Sequence, residues 1–106
     1  MRTIWKYPIQ ILPSLGFIIR MPKEARFLSV QTQGDSPQMW FTVDTDLEIE
    51  DRKFFVVETG EEIPKELFTV ADYLGTFRLS KGDLVLHLFE VQDPIKALVR
   101  TIFTGQ

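Results

Sequence analysis

A chain of 106 residues, 44% apolar and 25% charged, has room for one compact core and none of the bias of a disordered polypeptide. The formal charge is −3, and Arg52-Lys53 is the only adjacent basic pair, which argues against nucleic acid as a partner, since phosphate binding needs clustered cations. The absence of cysteine excludes disulfides, thiolate zinc sites, iron–sulfur clusters and cysteine nucleophiles, and no apolar run reaches membrane-spanning length.

Most of the chain follows a two-residue period with turn residues between segments. "RTIWKYPIQ" predicts a strand with Trp5, Tyr7 and Ile9 on the core face and Ile4, Lys6 and Pro8 on the other. Pro8 lacks an N–H and belongs at an edge or a bulge. "LPSLG" turns the chain, and "FIIRM" is a second strand stopped by Met21-Pro22. "ARFLSVQTQ" and "QMWFTVD" form a hairpin across "GDSP", where Gly tolerates positive φ and Asp and Ser bond back to the backbone.

"DTDLEIED" is an acidic connection. "RKFFVVETG" is a fifth strand, apolar on both faces at Phe54-Phe55-Val56-Val57 as a central strand requires. "PKELFTVADYLG" fits a short helical turn or an ordered loop, with Leu67, Val70 and Leu74 at rough helical spacing. "GTFRLS" and "DLVLHLFEV" form a last hairpin across "SKGD". "DPIKALVRTIF" predicts a short amphipathic helix, with Asp93 as N-cap and Pro94 at its first position.

The expected fold is therefore mainly β: an antiparallel sandwich or small barrel of about seven strands with a short C-terminal helix. Residues 1–91 form the expected β-rich domain, and 92–106 an extension packing on it or on a partner. The interrupted N-terminus does not read as a signal peptide, so the expected setting is the cytoplasm, with no membrane contact.

No catalytic signature stands out. His87 shares a strand face with Val85 and Phe89 and is expected to be a half-buried histidine with one hydrogen-bond partner. A small hydrolase using His87 requires a nucleophile and an orienting carboxylate nearby. Asp44, Asp46, Glu48 and Glu50 alternate, but the twelve-residue calcium pattern is absent and no metal is expected. The glycines form no phosphate loop, and no cofactor is implied. Lys6, Arg20 and Arg78 lie on strands. Together with Trp40, Tyr73 and His87 they are the candidate contacts for a small, planar, anionic ligand, by ion pairing plus stacking. The stripe Ile95, Leu98, Val99, Ile102 and Phe103 is the candidate contact in a homo-oligomer or with a partner.

The run Ile4-Trp5-Lys6-Tyr7-Pro8, then Met21-Pro22, "LSVQ" from Leu28 to Gln31, Trp40, Tyr73-Leu74-Gly75-Thr76 and His87 to Glu90, resembles a family of short uncharacterised proteins of bacteriophages and bacterial genomes. The resemblance spans most of residues 1–91 and departs at "ETGEEIPKELFTVAD" and after Val91. It implies a phage or prophage setting and a small β-rich domain. Such a protein is expected to act by binding a host protein or by sequestering a nucleotide signal in pockets between the subunits of an oligomer, as a counter-defence factor. The alternative is a structural or assembly accessory protein.

Overall fold

The computed structural model describes residues 1–11, 16–68 and 70–92. Seven strands follow in order: β1 (Arg2–Pro8), β2 (Phe17–Pro22), β3 (Arg26–Gln33), β4 (Ser36–Asp44), β5 (Ile49–Glu58), β6 (Ala71–Leu79) and β7 (Leu84–Val91). A one-turn helix, α1 (Lys65–Phe68), precedes β6. The first sheet has the order β1-β4-β3 and the second β2-β5-β7-β6, with every pairing antiparallel. The two sheets share one core and are not closed into a barrel, so the sandwich alternative describes the molecule. The expected C-terminal helix and its stripe at Ile95, Leu98, Val99, Ile102 and Phe103 lie outside the described residues.

Strand alternation builds the core. Met39, Phe41 and Val43 face inward from β4, and Phe17, Ile19 and Met21 from β2. Phe54, Leu86, Leu88, Phe77 and Leu79 complete it from the second sheet. Phe41 is the hub: it meets Tyr7, Phe27 and Phe54 edge-on, with centroids 5.6–6.1 Å away. Edge-to-face contact suits the ring quadrupole. Phe55 and Val57 are also buried, on the opposite face of β5, as a central strand with cover on both sides demands.

The sheets close most tightly along β3 and β6. The hydroxyl of Thr32 donates to the Arg78 carbonyl at 2.9 Å, and Asp35 accepts the Ser80 N–H at 3.0 Å. Gly75 lies where β6 bulges between Tyr73 and Gly75. A Cβ there would come within 2.6 Å of Val30 Cγ1, so the close approach requires glycine. Gly16 at φ 74° opens β2 for a similar reason: a Cβ would fall 2.4 Å from the Phe54 carbonyl oxygen.

Both prolines at strand ends obey ladder parity. Thr45 N–H donates to the Met1 carbonyl and Ile9 N–H to that of Pro37, so the odd residues of β1 bond to β4. Lys23 N–H donates to the Glu48 carbonyl, so the odd residues of β2 bond to β5. Pro8 and Pro22 are even, and each missing donor faces away from the ladder.

Two local expectations are corrected. The expected short helical turn is present as Lys65–Phe68, but Leu74 lies beyond it, in the chain that is extended from Ala71. Pairing of Ala71 to Tyr73 with β7 outweighs the weak helical spacing. Trp5 shares its strand face with Tyr7 but remains 40% exposed, because β1 is an edge strand of the first sheet.

Candidate functional site

The outer face of the second sheet carries a chain of side-chain hydrogen bonds. Tyr73 Oη lies 2.6 Å from Thr76 Oγ1, which lies 2.8 Å from His87 Nδ1; His87 Nε2 lies 2.7 Å from Thr59 Oγ1. Tyr73 and Thr76 come from β6, His87 from β7 and Thr59 from the turn after β5. The bulge in β6 leaves Tyr73 58% exposed with its ring edge against Phe89, 5.7 Å away. Phe89 in turn stacks on Phe55 at 5.1 Å and 5°. This face therefore presents the exposed Tyr73 ring and the half-buried Phe89 beside the threonine hydroxyls, an amphipathic strip, while Phe55 is buried.

His87 has two partners rather than the single one expected. A neutral imidazole donates from one nitrogen and accepts at the other, so one threonine hydroxyl accepts and the other donates. The 2.7 Å Thr59–His87 distance matches a nucleophile–base pair. Nδ1 bonds to a threonine hydroxyl, however, not to a carboxylate that would stabilise an imidazolium.

The candidate ligand residues divide between two opposite faces. Tyr73, Arg78 and His87 share the outer face of the second sheet, and Arg20 joins it from the far strand β2, paired with Asp51 at 3.6 Å. Lys6 and Trp40 are cross-strand neighbours on the outer face of the first sheet, where Lys6 Nζ donates to Gln33 Oε1 at 3.0 Å. No one pocket of a single chain gathers all six.

A third feature escapes a sequence reading. At one end the sheets part into a cleft of about 900 Å³, with Lys23, Arg26 and Lys53 and also Glu24, Asp51 and Asp72 on its walls. At its base Arg52 makes a bidentate pair with Glu90, 2.5 and 2.8 Å, and donates to the Ala25 carbonyl at 2.6 Å. The guanidinium carbon sits 5.2 Å from the Phe41 ring centroid. Both side chains are mostly buried, 17% and 16% exposed. The only sequence signal was parity: Arg52 shares the inward face of β5 with Phe54.

The acidic connection neutralises local cations. The Met1 ammonium lies 2.9 Å from Asp46 and 3.7 Å from Asp44, and Lys23 Nζ lies 3.1 Å from Glu48. These carboxylates, chiefly the Asp46 hydrogen bond, raise the pKa of the ammonium above its ordinary value. Among the described residues no group of three or more His, Asp or Glu side chains could hold a metal ion, and no helix is long and apolar enough to cross a membrane.

A family model described as a domain of unknown function, DUF7352, matches residues 1–98. The chain belongs to the DUF7352 family. That match takes in both sheets, the Tyr73–Thr59 strip and the cleft of this DUF7352 domain. No curated protein and no solved structure matches it.

Proposed function

We propose that this chain is a non-enzymatic binding protein of phage or prophage type, which counters a host defence by engaging a host protein through the outer face of its second sheet. The observation that carries this reading is the strip Tyr73–Thr76–His87–Thr59 beside stacked Phe89 and Phe55. Exposed tyrosine held by neighbours, with a cation at Arg78 on the same face, has the composition of an interface centre. The resemblance to short phage proteins supplies the setting. Sequestration of a nucleotide would need pockets between subunits, because within one subunit Lys6 and Trp40 lie on the opposite sheet from Tyr73, Arg78 and His87.

The test is plating efficiency of a panel of phages on hosts carrying known defence systems, with and without the chain expressed. The expected result is relief of at least one system, lost in the double variant Tyr73→Ala/Arg78→Glu, whose circular dichroism stays that of the parent. No relief anywhere in the panel, or full relief by the double variant, overturns the reading.

A further inference from the structure

β1 is an edge strand of the first sheet, with the order β1-β4-β3. Ladder parity aims the odd residues of β1 at β4, so the N–H and C=O groups of Arg2, Ile4 and Lys6 point out of the sheet. Among the described residues no strand pairs with them. Pro8, next in the series, has no N–H to offer, so the unpaired edge runs from Arg2 to Lys6.

Edge strands normally blunt such a template with charge, and Arg2 and Lys6 do so here against self-pairing. Antiparallel pairing of two copies about Ile4 would set each Arg2 opposite the other copy's Lys6, and like charges directly opposite are destabilising. A purely protective edge, however, would not display large apolar groups. Ile4 is 56% exposed on one side of β1 and Trp5 40% on the other. Arg2 forms no ion pair among the described residues, and Lys6 makes one hydrogen bond, to the neutral Gln33 amide.

We propose that β1 captures an extended acidic peptide segment by strand addition. Main-chain hydrogen bonds supply affinity and alternate side chains supply selectivity. In antiparallel register the partner carries carboxylates opposite Lys6 and Arg2, an aliphatic side chain opposite Ile4, and an apolar side chain beside Trp5. Read from its N-terminus, a segment such as Glu-Leu-Val-Thr-Glu meets each requirement. This surface lies on the first sheet and does not depend on the strip around Tyr73.

The test is residue-resolved amide hydrogen exchange on the full chain, with two synthetic peptides. One is the acidic segment above, flanked by Gly-Ser; the other replaces its glutamates by lysine. In the free protein the amides of Arg2, Ile4 and Lys6 exchange fast, while those of Thr3, Trp5 and Tyr7 are protected. Millimolar acidic peptide is expected to slow the three even amides about tenfold or more, and the lysine peptide to leave them unchanged. The double variant Arg2→Glu/Lys6→Glu reverses that preference, which separates charge selection from a folding defect. Absence of protection by the acidic peptide, or equal protection by both, overturns the proposal. So does protection without peptide that grows with protein concentration, since the occupant would then be a second copy.

Discussion

Tyr7 buries a hydroxyl that has no hydrogen-bond partner among the described residues, while its ring packs edge-on to Phe41 at 5.8 Å. Burial raises its pKa above 10.0, and the nearby Arg52 guanidinium only partly opposes that. The unfolded phenol ionises first as pH rises, so the unfolded state then binds fewer protons than the folded one. Stability tied to Tyr7 is therefore complete below about pH 10 and falls as pH climbs through the folded value. Tyr7→Phe is expected to be neutral or up to about 1 kcal/mol stabilising near neutral pH, because no hydrogen bond is lost. It should also flatten the loss of stability above about pH 10 in urea melts. Glu90→Gln does the opposite: it leaves the mostly buried Arg52 charge without its bidentate partner. A cost of about 1–3 kcal/mol is expected from the same melts. The sequence placed Tyr7 on the core face, but neither its unpartnered hydroxyl nor the Arg52–Glu90 pair was legible there. Tyr7 and Arg52 follow strand alternation, but which inward-facing polar group finds a partner depends on the opposing sheet.

β1 and β6 show how far an element can be read from its residues. The two-residue period, with an apolar run on both faces for the central strand β5, located the seven strands, because their inward faces meet a single core. It missed the length of β6, whose first residues, Ala71 to Tyr73, carry a weak helical pattern and become strand only by pairing with β7. It also could not supply the partition into two sheets, since non-local pairing decides that. Pro8 was placed correctly at an edge, and its parity now makes a prediction. Pro8→Thr restores an N–H that points to solvent, so stability should change by no more than about 0.5 kcal/mol in chemical denaturation. Gly75 is the reverse case. Gly75→Val drives a branched side chain into Val30 and should cost about 1–3 kcal/mol, by forcing β3 and β6 apart.

At the scale of the molecule, β1 is both an edge and part of the core wall: Tyr7 touches Phe41, and Ile9 is buried. Removing residues 1–10 should therefore unfold the chain, seen as loss of its cooperative thermal transition. The two sheets also divide the labour of the outer surfaces. The first offers Lys6, Trp40 and a strand edge with no partner strand among the described residues; the second offers the aromatic–hydroxyl strip. The six candidate ligand residues were each visible in the sequence as strand-borne cations, aromatics or histidine. Their division between opposite faces was not, because alternation gives a residue's face within its strand but not the sheet to which that strand belongs. The most direct test of host-protein engagement through the second sheet is site-specific photo-crosslinking in bacterial cells, with a benzophenone amino acid at position 73 or at position 40. A discrete adduct with a host protein from position 73, and none from position 40, is the predicted result; an adduct from position 40 alone, or from neither, contradicts it.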